Sequence, residues 1–338
     1  MNAASGSTAT GTTATDKPAD AAAGPASLAA GSDRLAAVAS GPVGRPGVDR
    51  YVGRFAPSPT GSLHLGSLVA ALGSYLDARH QGGRWQLRME DLDTPRLVRG
   101  CADEILRTLE CFGLTWDGEV TYQSRHVDRY AAAAAELRAG HFTFECSCSR
   151  RLRAENEDRG YPGTCRDKPP TLSPTATRFR VDERQTLSFE DRFQGTCQFD
   201  LRAMGDVVIR RRDGIFAYQL AVVVDDAAEG MTHVVRGADL LASTAWQLCL
   251  QGALRLPTPS YAHLPLIVEP DGAKLAKSRR SVPLDAQRAA PLLLTALRLL
   301  RQSPPSGLEL ESPATVLEWS SAHWNPPAFH ATRTLPAS

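Results

Sequence analysis

One stretch limits the fold of this chain more than any other: an apolar run, a turn rich in proline and glycine, then a helical pattern. Tyr51 to Ala56 is short and largely apolar, with Val52 and Phe55, which suits a buried strand. Pro57, Pro59 and Gly61 then stop regular structure. From Leu63 to Arg79, the residues Leu65, Leu68, Val69, Leu72 and Leu76 recur at helical spacing. Strand, tight turn and helix in this order is how an α/β sheet presents a helix N-terminus to phosphate. Gly66 would let a nucleotide come close to the backbone. His64, near the first helical turn, could donate to a phosphate oxygen. A lone His-x-Gly is far more often a surface or capping histidine beside glycines that only make a turn. The flanking Arg54, Pro57, Ser58, Pro59 and Gly61 narrow the choice. Trp85 to Glu90 reads as a second strand ending in acids, where a carboxylate can meet a substrate ammonium.

A second segment lies far downstream. Pro270-Asp271-Gly272 is a turn signal, and Lys274 and Lys277 follow it in a polar stretch that ends in Arg279-Arg280. In isolation this is a solvated basic loop. Paired with the first segment, two lysines on a loop can close over a triphosphate and stabilise charge as pyrophosphate leaves.

Together these segments resemble the class I aminoacyl-tRNA synthetases, whose two signatures are written HIGH and KMSKS. They stand here as His64-Leu65-Gly66-Ser67 and Lys274-Leu275-Ala276-Lys277-Ser278. Arg54 to Gly61, followed by Met89-Glu90-Asp91-Leu92-Asp93, is similar to the glutamyl branch, and within it to the glutamyl-Q tRNA(Asp) synthetase family. The resemblance runs from about Tyr51 to about Pro283, and includes Phe216 to Asp226 and Thr232 to Leu241. Two positions depart. Ser67 stands where HIGH ends in His, a small polar residue that many glutamyl-Q enzymes share. Ala276 replaces the usual Ser of the lysine loop, which removes one hydroxyl and leaves Lys277 in place.

The resemblance implies a site. His64, Lys274 and Lys277 would be catalytic, and His64, Gly66, Ser67 and Lys277 would bind ATP, with Mg²⁺. Glu90 would take the α-amino group of glutamate. Arg54 and Arg236 would meet its two carboxylates, in an order the sequence leaves open, since guanidinium matches carboxylate bidentately. Tyr218 would hydrogen-bond the amino acid, and Arg54, Phe55, Ala56, Pro57 and Ser58 would line the same pocket. Asp239 and His263 could lie near the nucleotide, but a structural role fits them better. So does an ion pair with Arg96 or Arg99 for Asp91 and Asp93.

Seven cysteines, an odd number with three clustered, suit a reducing cytoplasm better than a disulfide framework. Cys146-Ser147-Cys148 and Cys165 can supply three thiolates to a tetrahedral zinc site, with Zn–S about 2.3 Å. The resemblance gives Tyr161 as the fourth ligand; water or Asp158 remain alternatives. One structural Zn²⁺ would pin an insertion too poor in apolar residues to hold itself. Cys101, Cys111, Cys197 and Cys249 lie in apolar patterns and are expected in the core.

Net charge is +1 over 338 residues, so RNA contact must come from local patches such as Arg150, Arg151, Arg153 or Arg210 to Arg212. No apolar run is long enough to span a membrane, so no membrane partner is expected. The first 48 residues are rich in Ala, Gly, Ser and Thr, and disorder is expected there. They carry neither a secretory pattern nor the arginines of a transit peptide, so a cytoplasmic location is expected; a monomer is expected as well.

The acceptor is read from the C-terminal part. Only 60 residues follow Ser278, whereas a full glutamyl-tRNA synthetase has a long anticodon-binding region there. An amphipathic helix over about 286–301 is expected, with the Pro- and Ser-rich remainder loose. By resemblance, glutamate would then pass from ATP-activated glutamyl-adenylate to queuosine in the anticodon loop of tRNA(Asp). A truncated glutamyl-tRNA synthetase charging a tRNA 3′ end, a nucleotidyltransferase of cofactor synthesis, and an inactive zinc-bearing RNA-binding homologue are the alternatives. The expected architecture is α/β: a Rossmann-like class I synthetase catalytic domain with a zinc-bearing insertion and a short helical C-terminal part. Its segments are a tail (1–48), a first Rossmann-like half (49–143), an acceptor-type insertion (144–200), a second half (201–270), and the lysine loop with the helical end (271–338). The sheet should be mainly parallel, with the site at its carboxyl edge.

Overall fold

The computed structural model describes residues 51–148, 161–268 and 282–336. Lys274, Lys277, Asp158 and Arg150, Arg151 and Arg153 lie outside the described residues. The chain opens with strand β1 (Val52–Phe55), helix α1 (Leu65–His80) and strand β2 (Arg84–Met89). β1 and β2 pair in parallel, which needs a crossover such as α1 between them. Helix α2 (Cys101–Cys111) leads to β3 (Thr121–Tyr122), which adds in parallel to β2, and α3 (Val127–Ala139) follows.

The chain then turns antiparallel. β4 (Thr143–Cys146) pairs with β5 (Ala176–Phe179), and β6 (Thr186–Asp191) forms a hairpin with β7 (Gly195–Asp200). The short helix α4 (Leu201–Met204) leads into β8 (Val207–Arg210), which pairs antiparallel with β5. Helix α5 (Tyr218–Ala228), strand β9 (His233–Gly237), helix α6 (Leu241–Leu254) and strand β10 (Ser260–Leu264) restore the parallel pattern. The two halves meet where the Thr232 amide donates to the Val52 carbonyl at 2.9 Å and the Val52 amide donates to the Thr232 hydroxyl at 2.8 Å. Strand β11 (Leu266–Val268), helices α7 (Ala289–Leu299) and α8 (Pro313–Ala322), and strand β12 (Thr334–Pro336) complete the described chain.

Burial explains the helix positions. Leu68, Leu72 and Leu76 of α1 are buried with Trp85, Leu87 and Met89 of β2 and with Leu293 and Leu297 of α7. Gly73 brings α1 onto β10, since a Cβ there would lie 2.6 Å from the Leu264 side chain. The near-continuous apolar run Leu220 to Val224 is buried on α5 against Ile209 and Leu248. No described helix is long and apolar enough to cross a membrane.

Two expectations need correction. The stretch after residue 302 is ordered rather than loose. Ser312 caps α8 by accepting from the Thr315 amide at 3.2 Å, and Pro313 occupies the first turn, where a missing N–H costs nothing. Val316, Leu317, Trp324, Phe329 and Leu335 are buried, and β12 pairs in parallel with β11. Cys101, Cys197 and Cys249 are buried as expected, but Cys111 is exposed. On α2 the buried face is Cys101, Ile105 and Leu109, and position 111 lies about 200° around from 109.

Candidate active site

A cavity of about 590 Å³ opens at the carboxyl ends of β1, β2, β9 and β10, against the start of α1. This is the edge at which open parallel sheets bind ligands. Its lining includes Arg54, Phe55, Ala56, Pro57, Ser58, His64, Gly66, Ser67, Glu90, Tyr218 and Arg236, every expected substrate residue among those described. Asp239 also lines it. His263 does not; it is fully buried behind Arg236.

His64 is the N-cap of α1, and its Nδ1 accepts from the Ser67 amide at 3.3 Å. The two readings of this histidine are therefore compatible. A neutral ring that accepts through Nδ1 carries its proton on Nε2, a donor suited to an anion. Gly66 gives that ring room, since a Cβ there would lie 3.1 Å from the imidazole and push it by a few tenths of an ångström.

The two arginines differ in their partners. Arg54 is buried and donates to both oxygens of Asp226, through Nε at 3.0 Å and Nη2 at 3.2 Å. Arg88, fully buried, donates to Asp226 at 2.6 Å and to Glu229 at 2.7 Å. Burial works against ionising Asp226, but Arg54 and Arg88 hold its carboxyl below the usual range. Sequence reasoning missed Asp226, Arg88 and Glu229. Arg236 is 6% exposed, and its hydrogen bonds among the described residues go only to uncharged groups. These are Tyr218 Oη at 3.0 Å, Thr244 Oγ1 and Gln247 Oε1 at 2.7 Å each, His263 Nε2 at 3.1 Å, and the Leu240 carbonyl at 3.5 Å. Glu90 follows β2, and its amide donates to the Pro57 carbonyl at 2.9 Å. Burial pushes its carboxyl up to about 7, with Arg88 and Arg54 pulling the other way.

Of the acids expected to pair nearby, Asp93 bonds Arg96 and Arg211, whereas Asp91 accepts from the amide and hydroxyl of Ser124. A further group, His126, Asp225 and Glu229, brings three potential ligand atoms within 4.8 Å. Arg88 lies 4.0 Å from Asp225 and 2.7 Å from Glu229, so a cation already serves that cluster.

The thiols of Cys146, Cys148 and Cys165 converge outside this cavity, all within 4.8 Å of one another. Tyr161 Oη lies 3.5 Å from Cys146 Sγ and 3.7 Å from Cys148 Sγ, and accepts from the Cys165 amide at 2.9 Å. Tetrahedral zinc–thiolate bonds need sulfurs about 3.8 Å apart, so this donor set could hold a metal ion. Tyr161 is placed by a bridge to Gly205, a glycine at φ +66° whose Cβ would meet the Tyr161 backbone at 2.5 Å. The Gly205 carbonyl in turn accepts from the Trp246 indole at 2.9 Å.

A parallel sheet split around a capped helix N-terminus, with a charged cavity at its carboxyl edge, is the Rossmann-like catalytic fold of the class I aminoacyl-tRNA synthetases. Residues 51–290 match the family model described as tRNA synthetases class I (E and Q), catalytic domain. The glutamyl-Q tRNA(Asp) synthetase of Ectopseudomonas mendocina is 55% identical over 286 residues, covering 84% of this chain and 97% of that one. Its counterpart in Pseudomonas aeruginosa is 52% identical over 287 residues, covering 85% and 97%. Among solved structures, a glutamate tRNA ligase from Elizabethkingia meningosepticum, in complex with its amino acid, superposes with a TM-score of 0.71 at 25% identity. It covers 86% of this chain and 67% of that one. The chain belongs to the glutamyl-Q tRNA(Asp) synthetase family of class I synthetases.

Proposed function

We propose that the chain activates L-glutamate with ATP and transfers the glutamyl group to queuosine in the anticodon loop of tRNA(Asp). The observation that carries this reading is a single cavity holding a capped helix N-terminus, the two arginines Arg54 and Arg236, and the carboxylates of Glu90 and Asp239. The helix end suits a triphosphate, and the charged groups suit an amino acid with two carboxylates and one ammonium. The identity of the acceptor is supported by relatives of that name that align along nearly their whole length.

In the first step an α-carboxylate oxygen of glutamate attacks the α-phosphorus of ATP. One P–O bond forms, the bond to the β-phosphate oxygen breaks, and pyrophosphate leaves. His64 and the first amides of α1 hold phosphate oxygens, and Lys274 and Lys277 are assigned to the departing charge. Catalysis is then positioning and charge stabilisation, with Mg²⁺ arriving as the counter-charge of ATP. The second step forms an acyl bond to queuosine and releases AMP. We assign Zn²⁺ to Cys146, Cys148, Cys165 and Tyr161, where it would cross-link the insertion and take no part in chemistry. The exposed Arg210 and Arg212 beside it offer RNA a basic edge. Labelled glutamate supplied with ATP should enter tRNA(Asp) that carries queuosine, and neither unmodified tRNA(Asp) nor tRNA(Glu). Label on tRNA(Glu) would mean a compact aminoacylating enzyme instead.

The Glu90 carboxyl gives a pH test. Pushed up to about 7, it is neutral below that pH and ionised above it. Only the ionised form pairs with the ammonium of glutamate. The kcat/KM for glutamate in ATP–pyrophosphate exchange should therefore rise with pH through about 7. Glu90→Gln should flatten this limb and lower the plateau by about 10- to 100-fold, as befits one charge-assisted hydrogen bond of about 1.5–3 kcal/mol. An unchanged ascending limb in the variant would assign it to another group.

A further inference from the structure

The cationic arm of the pocket is held from behind by a buried relay. Asp191 ends β6, in the turn to β7. Its Oδ1 accepts from the amides of Phe193, Gln194 and His263 at 3.0, 2.9 and 3.1 Å, and its Oδ2 contacts His263 Nδ1 at 2.5 Å. These bonds and the histidine outweigh burial and keep the Asp191 carboxyl below its usual range. An ionised Asp191 fixes the proton of a neutral His263 on Nδ1, so Nε2 is left to accept from Arg236 Nε at 3.1 Å. Both Asp191 and His263 are closed to solvent. Burial, together with Arg236, depresses His263 to about 4, so the ring is neutral at working pH.

The choice of partner has a consequence for charge. A carboxylate placed directly on Arg236 would orient it, but would also compete with any anion entering the cavity. A neutral imidazole orients the guanidinium and leaves its charge available. Arg54 shows the other arrangement, since Asp226 grips it directly.

We propose that Asp191 and His263 are positioning residues for Arg236, and that this relay sets the affinity of the pocket for a carboxylate of the amino acid. The inference rests on the reading of the cavity as a glutamate site. It joins the β6–β7 hairpin to the substrate pocket, a role for that hairpin beyond packing.

ATP–pyrophosphate exchange with varied glutamate and varied ATP tests it. His263→Leu removes the acceptor and should raise KM for glutamate about 10- to 100-fold, with kcat and KM for ATP within about threefold of wild type. His263→Gln can still accept from Arg236 and should recover most of the loss. Asp191→Asn keeps a partner for His263 but loses the charge, and should give an intermediate KM. If the leucine variant does not fold, the glutamine and asparagine variants still decide. A wild-type KM for glutamate in Asp191→Asn, or equal losses toward ATP and glutamate in any folded variant, overturns the relay. Absence of glutamate-dependent exchange in the wild-type protein would instead overturn the proposed function.

Discussion

Arg54→Met should destabilise the protein strongly, whereas Arg236→Met should leave it folded and unable to retain glutamate. The difference follows from what each guanidinium neutralises. Arg54 shares the buried Asp226 with Arg88, and Asp226 is only 4% exposed. Removing one partner of a buried ion pair leaves charge uncompensated and costs about 3–5 kcal/mol. Arg88 remains on Asp226, so about 3 kcal/mol is expected, or a fall in Tm of roughly 6–12 °C. No carboxylate hydrogen-bonds Arg236 among the described residues, and the charge of the nearby Glu90 is also met by Arg88 and Arg54, so removing Arg236 breaks no buried ion pair. Tyr218 and Leu240 line the cavity, whereas Thr244, Gln247 and His263 are buried behind Arg236 and lose a donor, so the expected cost is about 1–2 kcal/mol, below that of Arg54→Met. Binding responds the other way. An arginine that meets a carboxylate in a desolvated pocket is worth about 2–5 kcal/mol, so glutamate affinity should fall by roughly 30-fold to several-thousandfold. Thermal unfolding with and without glutamate reads both effects. Equal destabilisation by the two substitutions would show that Arg236 is a structural ion-pair partner, and would remove the case for its role as the anion receptor.

The contrast between the two arginines also marks where sequence reading stops. Arg54 to Ser58 are contiguous, and a strand followed by two prolines and a glycine places them together without long-range information. Glu90 sits just after an apolar strand, so its place at the sheet edge was equally legible. The partners of Arg54 and Arg88 were not, because Asp226 and Glu229 lie at the C-terminal end of a helix far along the chain and nothing local distinguishes them from solvated acids. The Asp191–His263–Arg236 relay is hidden for the same reason, with three elements contributing one residue each. The error over the C-terminal part had a different source. Ser312-Pro313 is a helix start, but proline-rich composition was read as an absence of structure. The parallel pairing of β11 with β12 depends on a strand 68 residues away, as the register Leu266 with Thr334 shows.

Cys165→Ser should separate the two halves of the proposed reaction. Among the described residues the apolar cluster around the thiols is small, consisting of Phe144, Cys146, Tyr161 and Cys165 with Cys148 packed alongside; Arg178 stacked on Tyr161 and the Arg166–Asp206 ion pair add polar support. So small a cluster buries too little surface to fix a knuckle, whereas a structural zinc ion contributes about 10–16 kcal/mol in small metal-folded units. None of these residues lines the cavity that holds Arg54, Glu90 and Arg236. The metal should therefore govern the insertion and spare the pocket. The proposed basic edge for RNA adjoins the cluster at Arg212, which is exposed and donates to the Cys148 carbonyl at 2.7 Å. Loss of the metal would release that carbonyl and with it the basic turn at Arg210 to Arg212. The expected outcome is one zinc per chain in the parent, measured by elemental analysis, and loss of most of it in Cys165→Ser. Glutamate-dependent ATP–pyrophosphate exchange should stay within about threefold, while transfer to tRNA(Asp) falls by about tenfold or more, in line with the loss of two or three phosphate contacts. Full transfer by a metal-depleted variant would contradict a structural link between the thiol cluster and RNA. A parallel fall in both steps would place the metal in support of the whole catalytic domain.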